Sequence, residues 1–345
     1  MGYKINRKVY INNQLKWVHA NSEQDYADKV ILIAMAAPNR MTEAEKSKHS
    51  FREYASNWFK IYSKPNIETV TAITYERQIN NYLIPALGDL NVEDISTDHL
   101  QTLFNSMTGA KATKDKLKIV LNQILNAAVE DGYLAKNPLK SSRLKINGEA
   151  SKETKPYSVE QMQFIAKHIF KIRKPADQIL MAMLAFHPLR LEEVLGLRFE
   201  DFDFEDRIFS INRAVTHPDR NKPEIKDTKT ESSHRTLGLS NIALDLISGM
   251  ANKQGFILGG ERPYSYTQVR KACERVKRDI GFSENITPIR FRTTVLTDIY
   301  DQTKDIELTK QSGGHSNTST TLKYYVKGRQ TCSSSTKAID SLYMA

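Results

Sequence analysis

Between Lys140 and Lys155 the chain reads KSSRLKINGEASKETK, polar and nearly without apolar residues. On either side lie long stretches with helical apolar spacing. A segment with so little to bury does not belong inside a core, so 141–155 is expected to be an interdomain linker. The length of 345 residues fits two or three domains. No apolar run approaches the ~18 residues that a membrane span needs. The N-terminal MGYKINRKVY lacks the apolar core of a secretory signal. The expectation is a cytoplasmic protein with no membrane partner. Two cysteines, Cys273 and Cys332, are too few for a disulfide framework or a zinc site and read as reduced thiols.

The first segment, 1–45, has apolar alternation around Val9, Ile11 and Leu15 with Asn12-Asn13 as a turn, which predicts a short hairpin. A helix is expected from about Glu23, ending before Pro38. Lys4, Arg7, Lys8 and Lys16 precede the first acid, Glu23. They are either solvated strand residues or cations presented to a DNA groove. The formal net charge of +10 also suits an anionic partner such as nucleic acid.

The segment 50–140 reads as helical. Phe51, Tyr54, Trp58, Ile61 and Tyr62 share helical spacing up to Lys64-Pro65. A second pattern, Tyr75 to Leu83, is expected to stop at Pro85 and Gly88. Ser96-Thr97-Asp98 opens a third helix. A fourth runs from about Thr113 to Asp131, with Leu117, Val120, Leu121, Ile124, Leu125 and Ala128 on one face. Lys111, Lys114, Lys116 and Lys118 crowd its start, as a solvated face or as phosphate contacts. Beyond the polar stretch, Ser158 and Gln161 form a capping box. Strands are expected over 207–215 and 232–240, and helices near 266–280, 288–300 and 305–312. The fold class is therefore α+β and mostly helical, with a small antiparallel sheet in the last segment and a basic hairpin and helix at the start.

Three stretches carry chemistry-bearing residues. In FHPLRLEEVLGLRFEDFD, Arg190 precedes a helical pattern, and Glu193, three residues on, is its local partner. In ITPIRFRTTVLTDIY, Thr287-Pro288 reads as an N-cap and first turn. Ile289 and Arg292 follow one turn apart, and an arginine near a helix start suits an anion. In SGGHSNTSTTLKYYV, Gly313-Gly314 closes a helix, which places His315 in the following turn. Tyr324 lies nine residues beyond it. Read alone, each tyrosine is core packing and the Arg–Glu pair is structural.

Taken in order, these stretches resemble the tyrosine recombinases, or phage integrase family. HPLRLEEVLGLRFEDFD is similar to the first arginine box, T-G-L-R-x-x-E-x-x-x-L-x-W-x-D. TKTESSHRTLGLS is similar to the lysine-bearing hairpin, TPIRFRTTVLT to the box H-x-L-R-H-T-F-A-T, and SGGHSNTSTTLKYYV to L-G-H-x-x-x-x-T-T-x-x-Y. PALGDLNVEDISTDHLQTLF resembles part of the helical core-binding domain.

The resemblance implies an arm-type DNA-binding domain over 1–45, a SAM-like core-binding domain over 50–140 and a catalytic domain over 156–345. It implies a site-specific recombinase that integrates or excises a mobile element through a 3′-phosphotyrosyl intermediate. Tyr324 would be the nucleophile, since the family spaces histidine and tyrosine nine residues apart. Tyr325, about 100° round the helix, would point elsewhere. Arg190 and Arg292 would bind the non-bridging phosphate oxygens. His315 would donate a further hydrogen bond, Lys229 would protonate the leaving oxygen, and Glu193 would orient the others. Lys4, Arg7, Lys8, Lys16, Lys114, Lys116, Lys118 and Arg235 would contact DNA. No metal or other cofactor is implied. The partners would be duplex DNA with attachment sites, three further copies in a tetramer, and accessory DNA-bending or excision factors. The setting would be the nucleoid of a bacterial host. The tail, with Ala338, Ile339 and Leu342 on one side, would pack on a neighbouring protomer or fray.

The sequence departs from the pattern at Ile289, where the family has His or Lys. If that group deprotonates the tyrosine, its loss costs on the order of 10²–10⁴ in rate. His187 is a candidate substitute. Thr293 replaces a second usual histidine. A catalytically impaired DNA-binding protein on the same scaffold and a type IB topoisomerase are the alternative readings.

Overall fold

The computed structural model of the chain describes residues 5–11, 14–36, 50–151, 153–219, 222–227, 234–250 and 253–324. The chain divides into two compact units, Met1–Ser151 and Lys152–Ala345.

The first unit opens with the antiparallel hairpin β1 (Ile5–Ile11) and β2 (Gln14–Ala20), in register from Ile5↔Ala20 to Ile11↔Gln14. The two strands flank Asn12-Asn13, the expected turn, which lies outside the described residues. Helix α1 (Glu23–Ala36) follows and packs on the hairpin. Because strand side chains alternate, Val18 and Ala20 are buried while Trp17 and His19 face outward. Arg7 pairs with Glu23 at 2.7 Å and lies over the Tyr26 ring.

Among the described residues the rest of this unit has the α-helices α2 (Phe51–Trp58), α3 (Thr69–Gln78), α4 (Ile84–Leu87), α5 (Thr97–Ser106) and α6 (Lys111–Glu130). The apolar face expected on α6 is buried in full. The second helical pattern begins earlier than expected, at Thr69, and does not stop at Pro85. It passes through a wide turn, Ile79–Leu83, in which the Ile84 N–H reaches back to the Ile79 carbonyl, and continues to Leu87. An identical turn, Phe59–Ser63, precedes Lys64-Pro65. The wider turn relieves the clash that a proline ring makes with the carbonyl four residues back.

Two expectations for this unit need correction. Lys114 is no surface residue: it is buried, and its ammonium donates to the Phe104 carbonyl at 2.8 Å, capping α5. The stretch read as linker is docked as far as Glu149. Leu144 and Ile146 pack on the core, the Lys145 backbone exchanges two hydrogen bonds with Gln101, and Glu149 bridges to Ala110.

Among the described residues the second unit contains α7 (Val159–His168), α8 (Pro175–Phe186) and α9 (Leu191–Gly196), then five strands and five more α-helices. The strands are β3 (Phe202–Asp203), β4 (Ile208–Ile211), β5 (Arg213–Asp219), β6 (Lys222–Asp227) and β7 (Arg235–Gly238). They pair as a three-stranded sheet, β3-β4-β7, and a separate hairpin, β5-β6. The strand expected over 207–215 takes in β4 and the start of β5; the rest of β5 and all of β6 escaped the sequence reading because Pro218 and Pro223 interrupt them. A register shift between Thr216 and Asp219 accommodates the irregularity. The helices are α10 (Asn241–Ser248), α11 (Tyr266–Ile280), α12 (Pro288–Thr303), α13 (Ile306–Gly313) and α14 (Thr318–Tyr324).

Helix α8 is buried through Ile179–Ala185 and forms the centre of the core. Its Asp177 is fully buried and paired bidentately with Arg275 of α11. Helix α12 is fixed by Tyr157, whose N–H donates to the Thr294 hydroxyl and whose ring lies under Arg290. Thr287 makes no side-chain cap; its N–H donates instead to the Tyr157 hydroxyl at 3.4 Å.

Candidate active site

Glu193 is the centre of the site. It sits in the first turn of α9, where a carboxylate also meets the helix dipole favourably. Its Oε1 accepts from Arg190 Nη1 at 2.8 Å and Arg235 Nη1 at 3.1 Å. Its Oε2 accepts from the Arg190 N–H at 2.8 Å and Arg235 Nη2 at 2.9 Å, with Arg292 Nη1 at 3.9 Å. Burial opposes the charge most strongly. The hydrogen bonds and charge of Arg235, then the charge of Arg292 and the Arg190 N–H, outweigh it and hold the carboxyl below its ordinary value. Three guanidiniums against one carboxylate leave two positive charges in the cluster, which is what a phosphodiester and its developing extra charge require.

The second part of the site is the turn after α13. Gly314 caps this helix at φ 59°, a left-handed conformation that favours glycine. A side chain at Gly313 would meet the His315 ring at 3.2 Å, so glycine there lets the imidazole approach. Three consecutive carbonyls at the helix end each accept from one arginine. Arg235 Nε donates to Ser312 O at 2.9 Å, Arg292 Nη2 to Gly313 O at 2.6 Å, and Arg190 Nη2 to Gly314 O at 3.1 Å. Cations are favoured there because the last carbonyls have no partner within the helix.

His315 comes next and is buried. Its Nε2 lies 2.8 Å from Arg292 Nη2 and its Nδ1 lies 2.9 Å from Thr321 Oγ1. Arginine can only donate, so Nε2 accepts and the proton is on Nδ1. Burial first, then the charges of Arg292, Arg190 and Arg235, push its pKa down to about 4, so the ring is neutral at neutral pH. Thr321 ties this turn to α14, whose last residue is Tyr324. The side chain of Tyr324, together with Tyr325, Lys229 and the tail from 326 onward, lies outside the described residues.

Arg292 is almost inaccessible, at 3% side-chain exposure, and also donates to Pro188 O at 2.5 Å. Arg190 is 38% exposed, which makes it the open side of the cluster. Ile289, one turn before Arg292, is 58% exposed, so the two do not share a buried face. Thr293 is buried and bonds back to the Ile289 carbonyl.

Two sequence assignments fail here. His187 cannot serve as a base at this site. It is buried, Nδ1 lies 3.3 Å from the Met183 carbonyl, and Nε2 accepts from the Ser240 N–H at 3.1 Å. Burial pushes its pKa down to about 4, opposed by the hydrogen bonds with the Met183 and Ala182 backbone. Arg235, expected among the DNA contacts, is an 8% exposed member of the buried cluster, paired with Glu193. A serine-rich hairpin sequence gave no sign of this. Arg7, Lys8, Lys116 and Lys118 belong to the first unit, on exposed positions. Lys4 and the Lys16 side chain lie outside the described residues. Among the described residues no acidic, histidine and cysteine cluster could hold a metal, and no helix is long and apolar enough to cross a membrane.

The phage integrase family profile matches residues 155–331, and the profile of the phage integrase N-terminal SAM-like domain matches 50–108. A tyrosine recombinase XerC-like protein of Caldanaerobacter subterraneus subsp. tengcongensis is 23% identical over 295 residues, covering 74% of this chain and 73% of the relative. The fold is similar to that of the Tn1549 transposon integrase in complex with transposon right end DNA. That match has a TM-score of 0.70 at 17% identity, over 85% of this chain and 99% of the other. A lambda integrase tetramer bound to a Holliday junction matches with a TM-score of 0.59 at 14% identity, over 94% of each chain.

Proposed function

The chain belongs to the phage integrase family and is a tyrosine recombinase of phage or transposon type, and on that premise we propose how its residues divide the work of cutting and rejoining DNA. Tyr324 attacks a DNA phosphorus and forms a 3′-phosphotyrosyl bond while the bond to the 5′-oxygen breaks. Lys229 protonates that oxygen. Arg190 and Arg292 bind the non-bridging oxygens, where charge accumulates. Glu193 fixes both arginines. The phosphotyrosyl bond keeps the energy of the broken one, so the 5′-hydroxyl of another strand reverses the step.

His315 takes a different part from the one its motif suggested. To donate to phosphate it would need a proton on Nε2, and Arg292 donates to that nitrogen. Its role before cleavage is to hold Arg292 until a phosphate oxygen takes over the guanidinium. Neither Ile289 nor His187 can accept the phenolic proton, so cleavage is slower than in a relative with a histidine at 289.

The DNA would carry specific attachment sites, bound by four copies, as in the lambda integrase tetramer on a Holliday junction. Accessory bending or excision factors would set direction, and the reaction would take place on the nucleoid in the bacterial cytoplasm. The division into an arm-type domain over 1–45, a core-binding domain over 50–140 and a catalytic domain over 156–345 belongs to the same reading.

One observation carries this reading. Arg190, Arg292 and His315, from three separate stretches of chain, meet in one hydrogen-bonded cluster, and Tyr324 ends the helix that follows His315. The test uses a nicked suicide duplex bearing the junction sequence of the element that encodes the protein. The expected result is a covalent protein–DNA adduct, lost in Tyr324→Phe and retained in Tyr325→Phe. DNA binding with no adduct would point to an impaired binding protein. Relaxation of any supercoiled plasmid without strand exchange would point to a topoisomerase.

A further inference from the structure

We propose that Arg235 is a positioning residue of the site, holding Glu193 and the His315 turn in register with the two phosphate-binding arginines. Three observations carry this. Its fork meets both oxygens of Glu193, at 3.1 and 2.9 Å, with both side chains almost inaccessible. A further donor, Nε, reaches the Ser312 carbonyl at 2.9 Å. Residue 235 begins β7, while Glu193 lies on α9 and Ser312 near the end of α13, so one side chain joins three elements.

The charge balance gives the reason for an arginine here. With Arg190 and Arg292 alone, one carboxylate would offset half of the positive charge meant for phosphate. Arg235 takes up that carboxylate, and it lies too deep to compete for the DNA itself. Its geometry matters as much. The carbonyls of Ser312, Gly313 and Gly314 are consecutive, and each is held by a different guanidinium. Releasing the first lets the turn move, and with it the two carbonyls that orient Arg292 and Arg190. A misplacement of about 1 Å in such a site costs about 100-fold in rate. Lysine cannot substitute, since one ammonium does not present the planar fork that matches a carboxylate and a carbonyl together.

The inference rests on the recombinase reading for one of its two measurements. In the suicide-substrate assay at saturating DNA, Arg235→Gln and Arg235→Lys are expected to cleave about 100-fold more slowly with unchanged DNA affinity. The second measurement needs no DNA. In ring proton–nitrogen spectra of the full chain, assigned with His315→Ala, the His315 signal is expected to stay in its neutral form well below pH 6. In Arg235→Lys it is expected to shift and to titrate nearer the ordinary histidine range. The lysine variant keeps a charge opposite the buried carboxylate, so it reports on positioning even if the glutamine variant does not fold. A folded lysine variant with wild-type cleavage and an unmoved His315 signal overturns the proposal. So does a loss confined to DNA affinity, with a shallower salt dependence, which would make Arg235 a phosphate contact. An unaltered protein that forms no adduct sinks the recombinase reading, while the histidine signals still decide this one.

Discussion

Replacing His187 by glutamine removes a titratable group from the core while keeping a donor and an acceptor on the side chain. His187 is 2% exposed, wedged between the Met183 carbonyl and the Ser240 N–H, with its ring edge-on to Phe209 at 5.1 Å. Burial lowers its pKa from 6.5 to about 4. The folded-state value lies below the unfolded one, so the unfolded chain takes up the proton first as pH falls. Stability is therefore complete above about pH 6.5 and declines as pH falls towards 4. The full difference is worth on the order of 3 kcal/mol, of which about 2 kcal/mol is gone by pH 5. His315, shifted in the same direction, adds to the slope. Both tryptophans, Trp17 and Trp58, lie in the first unit, so their fluorescence does not report on this transition. Hydrogen exchange of α8 peptides in a urea series at pH 7 and pH 5 does. The wild type is expected to lose about 2 kcal/mol more than His187→Gln between these pH values. At pH 7 the variant is expected to cleave DNA within about threefold of wild type, since a neutral buried ring does no proton transfer. Parallel losses of stability in the two proteins would refute the neutral, buried histidine. A folded variant slowed by about 100-fold or more would restore His187 as the base.

Lys114→Met should destabilise the first unit by about 1–3 kcal/mol, because the Phe104 carbonyl loses its donor; Trp58 fluorescence in urea measures it. The same variant should leave DNA affinity unchanged. Lys116→Ala with Lys118→Ala should weaken binding and reduce the slope of log affinity against log salt by about 2, and an unaltered slope removes both from the interface. Ile289→His places an imidazole at an exposed position in the first turn of α12, and cleavage should rise on the order of 10²-fold. An unchanged rate would mean that another group already removes the phenolic proton. Asp177→Ala should cost the second unit about 3 kcal/mol, at the low end for breaking a buried pair because Arg275 can partly rehydrate; a thermal melt followed by circular dichroism tests it.

Signals confined to a few neighbouring residues were legible in the sequence. Ser96 and Ser158 cap α5 and α7 as their side chains require, Gly314 closes α13, and α11 spans Tyr266–Ile280 as its spacing indicates. Pro85 misled because its effect depends on the turn before it, and the wide turn at Ile79–Leu83 has no residue signature. The docking of 141–149 was hidden because two apolar residues, Leu144 and Ile146, suffice when backbone groups of Lys145 and Glu149 do the rest.

Within the site the same division has a chemical origin. Arg190 and Arg292, proposed to meet the phosphate, and His315, proposed to hold Arg292, must be particular residue types at fixed spacing, so a motif records them. The groups that hold them in place are largely main-chain carbonyls, at Pro188, Gly313 and Gly314, which any sequence supplies. Glu193 marks the boundary between the two. Helical spacing gives its partner three residues back, Arg190, but not Arg235, 42 residues away. Whether a basic residue faces solvent or a buried carboxylate is decided by which strand lies beside which helix end. Composition therefore assigns Lys114 and Arg235 to the DNA surface along with Lys116 and Lys118, and only burial separates the two pairs.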